Sequence, residues 1–420
     1  MLLARAVVRR LPTRRPAPAV REGRPHVAIL ILHGYGMGGT IRTVFNQATH
    51  LVRDHHVEIV SVLRERDEPH FAVPPGVVIR GLDDRTDGVR LGRLQAALRE
   101  RLAARPSLLV HEADVSYPRW TLWTDLQLVR YLRRLRGGIL MTTRPALNIL
   151  AAQLAAPGVI TVGQDHMNFS QYNPAIAVTM HSVYRRLDAL TVLTSGDLED
   201  YSRVLAGSGT RVVRIPNAVS PLGGGLSDPT SRMVVTAGRL THQKGFDRLI
   251  PAFEQVVRAH PDWSLRIYGS GRHRARLQRA ILDRGLYNDI RLMGRASNMG
   301  EELAKASVYV MSSRFEGFPM VLLEAMSKGL AVVSFDCPRG PADLITHGED
   351  GLLVPNGDID GLAQGMLQLV EDEELRRRLG AAALQTAARY DVEAVGRQWD
   401  ELLSELLAEH SPSWWRPRST

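Results

Sequence analysis

The sequence predicts an α/β protein of two doubly wound domains, each a parallel sheet covered by helices on both faces. Three observations carry this. Short β-branched runs alternate with helical patterns along most of the chain. The alternation stops at a glycine- and proline-rich seam, residues 221–229 (PLGGGLSDP), and then restarts. The 420 residues are too many for one such sheet.

In chain order, residues 27–32 read as strand, 40–53 as helix and 57–62 as strand. Further strands are expected at 108–110, 139–141, 159–162 and 189–193, with helices at 91–104 and 121–135 among them. The second series places strands at 233–237, 265–268, 290–292, 308–311 and 331–334. The division that follows is a basic, disordered tail at 1–24, a first domain at 25–220, a second at 230–390, a helix within 391–410 and a tail at 411–420. The 391–410 helix is expected to pack back on the first domain. Ligands of such sheets bind at the carboxyl ends of the strands. With two sheets facing each other, the cleft between them is the expected site.

Composition narrows the function. Apolar residues make up 44% of the chain, as in ordinary globular proteins. The net charge of +9 favours anionic partners. Nearly all of the positive charge is arginine. Lysine occurs only at 244, 305 and 328, which makes a lysine within a motif informative. The single cysteine, Cys337, excludes an intramolecular disulfide and a cysteine-based metal cluster, and fits a reducing cytoplasm. No run reaches the ~18 apolar residues of a membrane span. The start, MLLARAVVRRLPTRRPAPAV, is broken by arginines and makes a poor signal peptide. It reads as a disordered tail, with a weak anchor on the inner membrane face as the alternative, and SWWRPR near the end can act likewise. The arginines are spread and lack interleaved aromatics, which argues against nucleic acid.

Three stretches carry chemistry. In ILILHGYGMGGTIR (29–42) a strand enters a glycine-rich turn before a helix. Gly36, Gly38 and Gly39 let backbone amides approach an anion; a tight turn without a ligand is the other reading. His33-Gly34-Tyr35-Gly36 resembles a hydrolase oxyanion loop, but the chain holds no G-x-S-x-G elbow to go with it. In VVTAGRLTHQKGFDRLI (234–250), Arg239 and Lys244 follow a strand end within one short loop. Two cations so placed can clamp a diphosphate, or simply be solvated. In SRFEGFPMVLLEAMSKGL (313–330), Glu316 lies on the loop after a strand and Pro319 reads as a first-turn helix residue. The Phe318–Val321 amides then suit a phosphate. Glu324 falls within an apolar helix pattern, where a buried unpaired carboxylate costs several kcal/mol. It can accept hydrogen bonds from ligand hydroxyls; a loop glutamate plus a helix salt bridge is equally open. Asp83, Asp84 and Asp87 read as a solvated loop rather than a metal site.

Together, strand–Gly-Arg-x4-Lys-Gly, strand–Glu-x7-Glu and the N-terminal Gly-Gly loop resemble the family 4 glycosyltransferases. The resemblance covers about 25–390 and is strongest over 233–357. RIPNAV (214–219), IYGSGRHRARL (267–277) and GEDGLLVPNGD (348–358) add to it. SFDCPRGPADLI (334–345) resembles a subset that works on polysaccharides and cell-wall polymers. The family has the GT-B fold, two Rossmann-like domains facing across a cleft, and uses nucleotide sugars with retention of configuration. The resemblance therefore implies a hexosyl transfer from a uridine diphosphate sugar to an acceptor hydroxyl of a glycan, glycolipid or polymer, with no metal or other cofactor required.

It also implies roles. Arg239 and Lys244 bind the donor diphosphate, Glu316 contacts the transferred sugar and Glu324 the ribose. Phe318, Met320 and Val321 offer amides at the helix start, and Gly38 and Gly39 offer theirs from the other domain. Gly294 and Arg295 fall where the family's main chain reads the base. His166, in GQDHMNFS (163–170), falls where the family often has a sugar-contacting histidine, with Gln164 or Asp165 as alternatives for that place. Two positions depart from the family's pattern: Pro319 stands where glycine is common after EGF, and Asp343 where many relatives have glutamate. Natural-product glycosylation, a nucleotide-sugar epimerase and a non-catalytic binder of the same fold are the rival functions.

Overall fold

The computed structural model describes residues 20–21, 24–88 and 91–410, which form two compact units. The first comprises the described residues up to Leu193, Asp197–Ile215 and the described residues from Val395. The second comprises Thr194–Gly196 and Pro216–Ala394. Most of the basic tail read at 1–24, and the 411–420 tail, lie outside the described residues. Val20–Arg21 (β1) pairs antiparallel with the start of Arg24–Ile31 (β2), so those residues are strand rather than tail.

In the first unit seven strands run parallel: β2, His56–Arg64 (β3), Val78–Asp84 (β4), Ile139–Thr142 (β5), Ile160–Gln164 (β6), Ala189–Val192 (β7) and Arg211–Arg214 (β8). Their order is β4-β3-β2-β5-β6-β7-β8, with the direction of winding reversing between β2 and β5. The Val27–Ile31 run is buried on both faces, which is why it reads as continuously apolar. β4 and β8 escape a reading of apolar runs because they are the sheet's edges and carry VIRGLDD and RVVR.

Residues 108–110 turn instead of forming the expected strand. The Asp125 carboxylate accepts from Ser107 Oγ at 2.7 Å, Leu108 N at 2.8 Å and Leu109 N at 3.3 Å, taking the amides a ladder would need. Asp83 and Asp84 are also not a solvated loop. They end β4, where Arg85 Nε reaches Asp83 at 2.8 Å and Arg64 reaches Asp84 at 3.1 Å. The last helix, Val392–His410, packs on this unit over its 395–410 portion. Asp400 meets His50 Nε2 at 2.7 Å and Glu405 meets Arg211 at 2.7 Å.

The second unit repeats the plan with six parallel strands: Met233–Ala237 (β9), Ser264–Tyr268 (β10), Ile290–Gly294 (β11), Val308–Met311 (β12), Ala331–Asp336 (β13) and Leu352–Pro355 (β14). Their order is β11-β10-β9-β12-β13-β14. Phe246, Leu249, Ile250, Phe253 and Val256 recur at helical spacing on Phe246–Ala259 and bury one face of that helix in the core. The 221–229 seam is stitched to this unit rather than hanging free. Lys328, buried, donates to the carbonyls of Leu222 at 3.1 Å and Gly223 at 2.8 Å, and Ser227 N donates to Lys328 O at 2.8 Å. Among the described residues no helix is long and apolar enough to cross a membrane.

Candidate active site

In a doubly wound sheet the ligand crevice lies where the winding reverses, outside the carboxyl ends of the two central strands. In the second unit those strands are β9 and β12, which pair through Val234–Val308 and Val235–Tyr309. The loop after β9 carries Gly238 to Gly245. The loop after β12 carries Ser312 to Phe318.

The two loops are joined at several points. Lys244 Nζ lies 2.6 Å from Glu316 Oε1, and Ser313 Oγ donates to the same oxygen. The Lys244 stem runs over Gly238, where a Cβ would sit 3.0 Å from its Cδ and Cε. Gly245 has φ of 62°, and a Cβ there would fall 2.0 Å from the carbonyl oxygen of Ser312. Only glycine fits both the dihedral and the approach. Arg314 makes a two-pronged ion pair with Asp247 at 2.8 and 2.7 Å, and also donates to the carbonyl of His242 at 2.8 Å. This pairing raises the Arg314 pKa and lowers that of Asp247. Arg239 is exposed and donates to Gln243 Oε1 at 3.2 Å, while Gln243 Nε2 donates to the carbonyl of Phe315 at 3.1 Å.

Glu316 and Glu324 are both buried. Glu324 stands on Met320–Met326. Tyr309 of β12 lies beneath the pair. Its hydroxyl pKa is raised by burial first, then by the charges of Glu316 and Glu324. The tyrosine thus stays neutral. The Cys337 thiol is pushed up to about 12 by burial and then by Glu316, so it is an inert thiol beside the site. Pro319 is the cap residue, one position before the helix, rather than in its first turn. The Met320 amide is turned onto the carbonyl of Phe318 at 2.9 Å. The Phe318 ring packs 6.1 Å from that of Tyr390. Gly294 ends β11 with φ of 78°; its carbonyl accepts from Gly269 N at 2.6 Å, and Arg295 Nε donates to Ser270 Oγ at 2.8 Å.

In the first unit Gly38 caps the Gly39–Leu51 helix. Neither Gly38, which is extended, nor Gly39 lies in the left-handed region, and a Cβ would meet nothing within 4 Å at Gly39 and only Ile41 Cδ1, at 3.7 Å, at Gly38. His166 follows β6. Both ring nitrogens are buried without a hydrogen-bond partner, and burial lowers its pKa to about 4, so the ring is neutral. The alternatives for its place are committed elsewhere. Asp165 accepts from the hydroxyls of both Tyr172 and Tyr201; burial raises its pKa to about 6 even though those bonds pull it down. Gln164 Nε2 donates to Gln47 at 3.3 Å. His33 belongs to the glycine loop; burial, then Arg119, lowers its pKa to about 4.

The family Glycosyl transferases group 1 matches residues 224–386, the part of the chain that carries the Arg239, Lys244, Glu316 and Glu324 cluster. An exopolysaccharide phosphotransferase of Streptomyces coelicolor is 36% identical over 391 residues, which is 91% of this chain. The chain spans only 41% of that protein. A lipopolysaccharide core biosynthesis glycosyltransferase, LpsE of Rhizobium meliloti, is 32% identical over 54% of this chain and 67% of its own length. The chain belongs to the group 1 glycosyl transferases. Among solved structures, a mutant of S. aureus TarM, crystallised with fondaparinux, alpha-GlcNAc-glycerol and UDP, has a TM-score of 0.69 at 15% identity, covering 90% of this chain and 99% of that one. The two Rossmann-like sheets are those of a GT-B protein.

Within this glycosyl transferase chain, sequence reasoning missed the Arg314–Asp247 pair, Gln243, Ser313 and the Asp165–tyrosine cluster. A signal for the first existed. Asp247 stands three residues after Lys244 and Arg314 two before Glu316, so charges of opposite sign flank the two loops.

Proposed function

We propose that the chain transfers a hexose-type sugar from a uridine diphosphate sugar to a hydroxyl of a cell-surface polysaccharide or related glycoconjugate. Configuration is retained, and no metal ion is required. The observation that carries the reading is the Lys244–Glu316 contact at the winding reversal, with Arg239 on the same loop. A diphosphate entering there meets two cations held at one strand end. Negative charge grows on the leaving diphosphate as the glycosidic bond breaks, and fixed cations stabilise it without reorganising, a contribution typically of several kcal/mol. That is the work a metal would otherwise do.

In this reading Lys244 turns its charge from Glu316 toward the phosphate, and Glu316 is left to contact the sugar. Glu324 accepts from the ribose hydroxyls. Gly294 and Arg295 read the base, and the amides of Phe318 and Val321 complete the phosphate contacts, the Met320 amide being taken up by the Phe318 carbonyl. The neutral His166 ring contacts sugar hydroxyls. Gly38 and Gly39 keep a side chain out of the way of a phosphate, which is support for a ligand there because nothing inside the fold requires glycine at either position. The acceptor hydroxyl attacks the anomeric carbon, its proton leaves with the diphosphate, and the charge on the ring carbon is transient and oxocarbenium-like.

The acceptor class rests on a relative whose name places it in lipopolysaccharide core biosynthesis, and on the UDP and glycosylated glycerol held by TarM. A second reading comes from the phosphotransferase name of the Streptomyces protein. One product analysis separates all the options. Incubated with uridine diphosphate sugars and an acceptor glycan, a glycosyl transferase releases uridine diphosphate and forms a glycoside of the donor's anomeric configuration. A sugar phosphotransferase releases uridine monophosphate, an epimerase releases a second nucleotide sugar without acceptor, and a mere binder releases nothing. Monophosphate release would overturn the proposal.

A further inference from the structure

The connection from β4 to the Leu122–Leu132 helix exposes apolar side chains that a closed fold would cover. The helix Arg93–Ala103 has no buried residue. Leu94 is 91% exposed and Leu98, one turn on and on the same face, 44%. Further along the same segment, Leu108 is 53% exposed and Val115 96%. Arg93, Arg101, Arg105 and Arg119, all exposed, are interspersed with them. The helix is tied down on another side: Arg99 reaches Asp83 at 3.4 Å and the carbonyl of Asp84, at the carboxyl end of β4. Arg105 O then accepts from Leu122 N at 3.0 Å.

We propose that this segment is an interfacial membrane-docking surface, with an anionic lipid bilayer as its partner. Arginines among exposed leucines on one helix are the pattern of an element lying in the plane of a headgroup layer, apolar side chains inserted and guanidinium groups on phosphates. An acidic polymer would satisfy the arginines but leave Leu94 and Leu98 in water, so the exposed leucines select the lipid. The placement makes sense for a glycosyl transferase. The helix sits at the carboxyl end of the first sheet, the end at which Gly38 and His166 also follow their strands. A lipid-borne acceptor held there is delivered to the reactive end of the sheet. The surface is argued independently of sugar transfer, because vesicle binding is measured without donor or acceptor.

The test is co-sedimentation of the full chain with vesicles of phosphatidylcholine, with and without phosphatidylglycerol. Binding to the anionic vesicles is expected, with loss on adding salt. Leu94→Ser/Leu98→Ser and Arg101→Ser/Arg105→Ser should each weaken it roughly tenfold or more. Thermal melting should be unchanged, because none of the four side chains is buried. Three outcomes overturn the proposal: no vesicle binding by the native chain, binding by both variants as tight as native, or loss in the arginine variant only, together with equal binding to a soluble polyglycerol phosphate. The last assigns the segment to an acidic polymer instead.

Discussion

Lys244 and Glu316 are 72 residues apart in sequence and 2.6 Å apart in space, at the point where the second sheet reverses its winding. With Glu316 buried and Lys244 only slightly exposed, the pair is shielded from water. Removing one partner of such a pair strands the other, whereas replacing both by neutral groups does not.

Lys244→Ala should therefore act twice. It should lower turnover by about a hundredfold or more. It should also lower stability by about 1–3 kcal/mol, because the Glu316 carboxylate keeps only Ser313 and local donors. The double variant Lys244→Met/Glu316→Gln should recover most of the stability and none of the activity. Arg239→Ala, on an exposed side chain, should match the activity loss with no change in melting. Near-native transfer in either single variant refutes the clamp.

Arg314 is expected to matter without touching substrate. Its two-pronged pair with Asp247 holds the Glu316 loop against the Lys244 loop. Arg314→Lys keeps the charge but loses the fork, so one hydrogen bond replaces two. We expect kcat to fall about tenfold with donor KM changing much less, and melting to drop by a few degrees. A purely structural role would lower melting and leave kcat, measured well below the transition, at the native value.

How much of this was legible in the sequence divides along a physical line. The strand Val308–Met311 could be placed to the residue, because a short apolar run between a polar helix end and a Ser-Ser loop has one interpretation. Edge strands β4 and β8, VIRGLDD and RVVR, could not, because only central strands of a parallel sheet must be apolar on both faces. Glu324 stood out as a carboxylate in an apolar helix, and so drew notice. Asp247 did not, because an acidic residue in a first helical turn is ordinary. Its partner, 67 residues away, is a tertiary fact. From sequence Asp165 is open to a ligand role; only the two tyrosine hydroxyls on its carboxylate show where it is spent.

Acid stability should depend on Glu58. This carboxylate is buried between Arg80, Tyr131 and His26. Burial alone would raise its pKa, but His26 beside it at 3.4 Å, the Arg80 charge and the hydrogen bonds from Tyr131 and Arg80 bring it down to about 2. A depressed carboxylate pKa stabilises the fold above its unfolded value of 4.5, and that contribution is lost as pH falls through the interval down to about 2. Allowing for screening of the half-exposed Arg80, the contribution is about 2 kcal/mol. Denaturant titrations at stepped pH should show native stability falling across that window. Glu58→Gln should be less stable at neutral pH and flatter across it; an equally steep profile would remove Glu58 as the cause.

A chelator should not inactivate the enzyme, since leaving-group charge is assigned to Arg239 and Lys244. Transfer measured after EDTA treatment is expected to stay within about twofold of the untreated value. Full loss that a divalent ion restores would reassign the charge to a metal.

Four glycines make the sharpest contrast, because the reasons for them differ. At Gly245, alanine meets both a left-handed backbone, costing about 1–2 kcal/mol, and the Ser312 carbonyl at 2.0 Å. The clash must push the Ser312 loop outward and carry Glu316 away from Lys244, so Gly245→Ala should lose stability and activity together. Gly238→Ala meets only the flexible Lys244 stem at 3.0 Å; it should cost little stability but reset the lysine's aim. At Gly38 and Gly39 the fold leaves room for a methyl group, and alanine in the first helical turn removes backbone entropy from the unfolded chain. Gly39→Ala should therefore melt at or slightly above the native temperature. If a phosphate comes against that turn, the same variant should raise donor KM severalfold. Unchanged melting with unchanged KM would leave the glycine loop as a bare turn and move the phosphate contacts wholly to the second unit.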